Sequence, residues 1–224
     1  MLILYGLPVS TYTAKVRIAL HAKGISFSEQ PPADGYRSDA WRAIVPTGTI
    51  PAIDHQGFVL AESEAIIEYL DEAFEGPMLL AGNARERACI RVLARLHDLM
   101  VEPAVRALFP LIRDPAQRDA LPARIASIED RLERLEQTRL QFGLSAERGR
   151  WIAGSAFSSA DCGYAVTLRL ARMLLDALGH DLAMPAALAR WIEQSADHPA
   201  IVAGLAPWRP ATEQWLSQSL GAGR

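Results

Sequence analysis

An α/β domain followed by an all-helical one is the fold class this sequence predicts, on three observations. Over residues 1 to 77, short apolar runs alternate with turn residues and stretches of helical period. Beyond residue 83 the apolar residues recur at spacings of three and four. Between the two, Glu75-Gly76-Pro77 and Gly82-Asn83 interrupt both patterns. The predicted domains are therefore residues 1–77 and 84–224, joined by a linker at 77–83.

The first domain opens with Leu2-Ile3-Leu4-Tyr5, an apolar run that reads as a strand and ends at Gly6 and Pro8. A helix follows, marked by Val16, Ile18, Ala19, Leu20 and Ala22 and stopped by Gly24. Ser10 thus falls on the turn between a strand and a helix N-terminus. A connection rich in turn residues carries Pro31-Pro32 and Asp34-Gly35, with a short helix around Arg37 to Ala43. Two short strands then flank a turn at Asp54 to Gly57. Pro51 is unusual there, because proline donates nothing to a ladder and belongs at an edge, a strand start or a cis turn. A helix begins near Ser63, with Ile66, Ile67, Leu70, Ala73 and Phe74 on one face.

In the second domain, Asn83-Ala84-Arg85-Glu86 has the N-cap and acidic third position of a helix start. Ile90, Leu93, His97, Val101, Ala104, Val105 and Leu108 share a face as far as Pro110. Leu121, Ile125, Ile128, Leu132 and Leu135 mark another helix, too few heptads for a coiled coil and suited to a bundle. Ser158 and Asp161 have capping-box spacing ahead of Val166, Leu168, Leu170, Met173 and Leu174. Short helices near Pro185 to Ser195 and Pro199 to Leu205 lead into a tail with Trp208 and Trp215. Gly221-Ala222-Gly223 has no strand before it and is not a nucleotide loop.

Composition excludes several function classes. Half of the 224 residues are hydrophobic and 22% are charged, with a net charge of -3. That balance, with no basic run, argues against nucleic acid as a partner. No apolar run reaches the ~20 residues of a membrane span, and the start at Met1 does not read as a signal peptide. Two distant cysteines, Cys89 and Cys162, suit reduced, buried thiols in a cytoplasmic protein. His21, His55, His97, His180 and His198 show no ligand spacing, so no metal is expected; His97 reads as a hydrogen-bonded core residue.

Three segments carry candidate chemistry. A hydroxyl at Ser10 would stand beside free backbone N–H groups and the positive end of a helix dipole, a setting that stabilises a thiolate. A proline at 51 leaves the Ile50 backbone free to pair with an extended ligand. Glu62 and Ser63 offer a carboxylate for an ammonium, and a hydroxyl with helix N–H groups for a carboxylate. The plain alternatives are that Ser10 and Ser63 only cap their helices and that Glu62 only complements a dipole.

Ser10 with Lys15-Val16-Arg17-Ile18-Ala19-Leu20, Ile50-Pro51, Glu62-Ser63 and the later Trp151 to Asp161 stretch together resemble the cytosolic glutathione S-transferase family, in its order and near its spacing. The resemblance covers most of the chain. It implies a thioredoxin-like N-terminal domain, an all-helical C-terminal bundle, a homodimer and a detoxification role. It also implies glutathione as co-substrate, with Ile50 pairing with its cysteinyl unit, Pro51 cis, and Glu62 and Ser63 gripping its γ-glutamyl end. Ser10 would activate the thiol for attack on a small hydrophobic electrophile; Tyr5 and Tyr12 are the alternative donors. The electrophile's pocket would draw on Val105, Leu108, Phe109 and Trp208. Thr49 departs from the family, many members of which carry there a lysine for the glycine carboxylate; Arg37, Arg42 or Lys15 are the substitutes. Two other readings are a glutathione-dependent cis-trans isomerase and a non-catalytic scaffold or carrier. Serine at position 10 sets aside the family's cysteine-bearing, disulfide-exchanging branch.

Overall fold

The computed structural model describes residues 1–144 and 149–221; Ala222 and Gly223 of the terminal glycine-rich tail lie outside them. The chain divides into two compact units, residues 1–80 with 197–211, and residues 81–196 with 212 onward.

In the first unit, β1 (Leu2–Tyr5), β2 (Phe27–Gln30), β3 (Ala52–His55) and β4 (Phe58–Ala61) form a sheet in the order β2-β1-β3-β4. β1 and β2 are parallel and the other two pairs antiparallel, so the sheet is mixed. Leu2 and Leu4 are buried, as are Val16, Ile18, Ala19 and Leu20 of α1 (Thr11–Lys23) and Ile66, Ile67 and Leu70 of α3 (Ser63–Ala73). Period-2 burial in β1 and one-sided burial in α3 are what the apolar patterns call for, whereas α1 is buried on every side from Thr13 to Leu20, Lys15 and Arg17 included. The short α2 (Asp39–Ile44) buries Trp41, against which Tyr5 packs from the sheet at 5.2 Å between ring centroids. The β3–β4 turn runs through Gln56 and Gly57, both at positive φ, and the Gly57 N–H donates to Asp54. This is a thioredoxin-like α/β unit.

The chain's C-terminal part also contributes here. In α10 (Pro199–Leu205), the position a Cβ on Gly204 would take lies 2.9 Å from the backbone of Ile18, so only glycine lets the two helices approach this closely. Arg17, 2% exposed, grips Glu29 through two bonds of 2.7 Å and donates a third to the Gly204 carbonyl. Asp71 ties down the linker by accepting from Leu79 and Leu80 N–H while paired with buried Lys23.

The second unit is helical: α4 (Ala84–Leu96), α5 (Glu102–Arg106), α6 (Phe109–Arg113), α7 (Leu121–Gln141), α8 (Ser159–Ala177) and α9 (Ala186–Gln194). The two expected capping boxes are present, Asn83 with Glu86 on α4 and Ser158 with Asp161 on α8. The helix expected from Ile90 to Leu108 stays helical as far as Arg106 but changes its winding on the way. Residues His97–Val101 wind as a π-helical turn between α4 and α5. Pro103, which cannot donate and whose ring crowds the carbonyl four residues back, accounts for the change. The expected tail is helical too, as α11 (Trp208–Gly221). Among the described residues no helix is long and apolar enough to cross a membrane.

Candidate active site

Strand register gathers the candidate residues of the first unit. Tyr5 of β1 is paired with Ala52 of β3, and Ala52 with Ala61 of β4. The last residue of β1, the first of β3 and the last of β4 therefore form one row across the sheet. Strands lie ~4.8 Å apart, so segments continuing from that row leave it within ~10 Å of one another. Those segments are residues 6–10, 49–51 and 62–63.

Ser10 is the N-cap of α1. Its Oγ accepts from the Thr13 N–H at 3.2 Å, and its own N–H donates to the Leu7 carbonyl at 3.0 Å. The capping role foreseen as the plain alternative is thus realised, and it leaves the hydroxyl hydrogen to donate elsewhere. The loop beneath is close-packed. A Cβ on Gly6 would lie 2.2 Å from the Thr13 methyl, and the Gly6 N–H is fixed to the Gln30 carbonyl at 3.0 Å. Tyr5 is half-buried against Trp41, and Tyr12 stands half-buried in the first turn of α1.

Ile50-Pro51 is a cis peptide. Ile50, half-buried, packs on Trp41, Val45 and Ala52. The Trp41 indole N–H donates to the Thr49 carbonyl at 2.9 Å, clamping the segment from behind. The Thr49 hydroxyl is bonded to that of Thr47 at 2.7 Å.

Glu62 is exposed and adopts φ 73, ψ 114, outside the regions an L side chain favours. Such a conformation costs ~1–3 kcal/mol and persists where the surroundings demand it. It serves as the N-cap of α3 without a side-chain bond. Its carbonyl accepts from Ile66 at 2.8 Å, so the N–H groups of Ser63, Glu64 and Ala65 have no helical acceptor. Ser63, the first residue of α3, is itself buried at 6% exposure, so the uncapped, positively polarised helix start meets solvent on the side of Glu62 and its carboxylate.

Of the three cations considered for the glycine end, Lys15 is not available. It is 1% exposed and paired with Glu64 at 2.6 Å. The two arginines do meet the segment. Gly48 sits at φ 65, and a Cβ on it would lie 3.2 Å from the Arg42 Cγ and 3.2 Å from the Arg37 Cα. The Arg37 N–H also donates to the Gly48 carbonyl. Arg42 is exposed, its ion pair to exposed Asp39 a long one of 3.4 Å. Trp41 is wholly buried, so at this end of the site it packs rather than lines, and only its indole N–H bears on the segment.

In the second unit, Val105 and Leu108 are wholly buried, as is Trp208 of the first. Of the four residues expected to line a substrate pocket, only Phe109 has surface to offer; it packs on Trp215 at 5.0 Å.

One constellation away from the sheet edge has catalytic composition. His97 bonds Asp98 through Nδ1 and Thr167 through Nε2, each at 2.7 Å. Thr167 is wholly buried and its hydroxyl donates to buried Glu102, which also accepts from Arg106. The hydroxyl is spent and reaches no solvent, so His97 is the core residue foreseen.

A thioredoxin-like domain is here joined to a helical one, and Ser10, the Ile50-Pro51 segment and the start of α3 all leave from one end of the sheet. Residues 4–78 match the family described as the glutathione S-transferase N-terminal domain. The chain is 30% identical to a Zea mays glutathione S-transferase 3 over 73% of its own length and 75% of that protein's. It is 38% identical to a Pseudomonas aeruginosa maleylacetoacetate isomerase over 45% of its own length, a match that spans 50% of that relative. Its fold resembles that of a delta-class glutathione transferase from Nilaparvata lugens, with a TM-score of 0.80, 19% identity and coverage of 98% of this chain and 100% of the other. The chain belongs to the glutathione S-transferase family.

Proposed function

We propose that this protein activates the thiol of glutathione through Ser10 for attack on a small hydrophobic electrophile. The observation that carries this reading is the state of Ser10. The Thr13 N–H fixes its oxygen at a helix start, and its hydroxyl hydrogen is left to donate to a sulfur anion. Free thiols have a pKa near 8.5, so a depression of about two units, ~2.7 kcal/mol, makes thiolate the main form at neutral pH. Sulfur then attacks the electrophilic carbon as the leaving group departs with its electron pair.

Glutathione fits the edge as follows. Glu62 meets the ammonium of the γ-glutamyl end, and Ser63 with the α3 N–H groups meets its carboxylate. The Ile50 backbone, ahead of Pro51, pairs with the cysteinyl unit. The glycine carboxylate falls beside Thr49, where Arg42, supported by Arg37, supplies the charge that a lysine gives elsewhere in the family. The protein works as a cytoplasmic homodimer in detoxification on this reading. Replacing Ser10 by Ala should lower kcat/KM toward an aryl halide by at least about tenfold, while affinity for S-methylglutathione changes little. Equal turnover by the variant would transfer the role to Tyr5 or Tyr12.

A second reading, cis-trans isomerisation of a maleyl-type acid, draws on the likeness to the Pseudomonas aeruginosa isomerase. The same thiolate would add to the double bond and leave again. Parallel assays with an aryl halide and a maleyl-type acid separate the two. A carrier would bind glutathione and turn over neither.

A further inference from the structure

A hydroxyl stabilises a sulfur anion only from a fixed place, and among the described residues Ser10 Oγ has one partner to fix it. That partner is the Thr13 N–H, at 3.2 Å. Thr13 is wholly buried, and its side chain lies against Gly6, the residue that follows β1. A Cβ on Gly6 would stand 2.2 Å from Thr13 Cγ2, 2.6 Å from Oγ1 and 3.0 Å from Cβ. Gly6 is in turn tied to the end of β2, its N–H donating to the Gln30 carbonyl at 3.0 Å. Ser10 is thus located from the sheet through Gly6 and Thr13 in succession.

The contact is one of shape. Gly6 is not at positive φ, so its backbone does not call for glycine; the approach of Thr13 does. Thr13 Oγ1 is buried with no hydrogen-bond partner among the described residues, so the hydroxyl packs rather than bonds. A β-branched side chain in a helix also has few rotamers into which it could retreat. We propose, on the Ser10 reading, that Thr13 is a positioning residue. Seated on Gly6, it sets how far the first turn of α1 stands from the end of β1, and so where Ser10 Oγ meets the sulfur.

The test uses the full chain with glutathione and an aryl halide, reading kcat, KM and the bound-thiol titration together. Thr13→Ala keeps the N–H but removes both atoms nearest Gly6. A small misplacement of a reacting group is costly, so kcat should fall at least about tenfold while KM for glutathione stays within about twofold. The bound-thiol pKa should rise towards that of free glutathione. Thr13→Val restores the shape without the hydroxyl and should recover kcat to within about threefold of the unaltered protein. Gly6→Ala pushes the same turn outwards and should lower kcat as far. Adding Thr13→Ala to it clears the two closest contacts and should recover part of that loss, a coupling that independent sites do not show. If Gly6→Ala does not fold, Thr13→Ala against Thr13→Val decides alone. Thr13→Ala with kcat and bound-thiol pKa unaltered would overturn the proposal. So would a Thr13→Val variant as impaired as Thr13→Ala, since the hydroxyl would then be the working group. Ser10→Ala run alongside separates two failures: if it changes nothing, the Ser10 reading falls, and if it alone changes kcat, only the role of Thr13 falls.

Discussion

The starts of α8 and α3 are the same structural element treated in opposite ways. At α8, the Asp161 carboxylate accepts from Ser158 N–H at 2.9 Å and from its hydroxyl at 2.8 Å. It also takes the Ile152 N–H and the Trp191 indole N–H, both at 2.9 Å. Ser158 is 2% exposed and Asp161 not at all, so no water can stand in for these bonds. At α3 the cap is exposed Glu62, in an unfavourable conformation and making no side-chain bond. A buried helix start must close on itself. One left uncapped at a backbone cost is what the proposed γ-glutamyl contact calls for.

The largest effect should come from the closed start. Asp161→Ala strands four buried donors, and at ~1–3 kcal/mol for each group left unsatisfied the loss should reach at least ~3 kcal/mol in urea unfolding. A loss under ~1 kcal/mol would mean the box is ornamental.

The same carboxyl sharpens the comparison through pH. Burial outweighs its donors and raises its pKa to about 6. The folded state therefore holds this proton more tightly than the unfolded chain. Its contribution to stability is fully present below the ordinary aspartate range and is lost as pH rises through about 6. Between pH 4 and 6 the change should approach ~3 kcal/mol, as an upper figure. The slope should vanish in Asp161→Asn, and its persistence there would assign it to another group.

The open start should respond the other way. Glu62→Gly relieves the positive φ and should stabilise the fold by ~1 kcal/mol while weakening glutathione binding. A variant that is less stable, or binds as well, would remove the distinction between the two helix starts. Smaller still, Arg42→Ala should weaken glutathione a few-fold, an effect that fades with added salt. An unchanged affinity would leave the glycine end to Arg37.

Much of this was legible in the chain. Alternating burial in β1, one-sided burial in α3 and the two capping boxes follow from local spacing; the all-round burial of α1 does not, because Lys15 and Arg17 are covered by distant partners. The candidate segments were legible as motifs, but their meeting was not. It depends on Tyr5, Ala52 and Ala61 sharing a register row, a property of pairing between distant strands. Lys15 stood among the substitutes for the family's lysine because nothing local announces Glu64 as its partner. Val105 and Leu108 read as pocket wall because an apolar helix face does not say whether it meets core or ligand. The α10 segment read as part of the helical domain, whereas Gly204 and Arg17 seat it on α1, a contact 187 residues apart in sequence. The change of winding before Pro103 was within reach, since proline alone predicts it.

The central claim rests on Ser10, and the most direct test is an ultraviolet difference titration of bound glutathione, following thiolate absorbance against pH. A bound-thiol pKa well below that of free glutathione, rising again in Ser10→Ala, is the expected result. Glutathione bound with its ordinary thiol pKa would contradict the Ser10 mechanism and leave the protein a carrier.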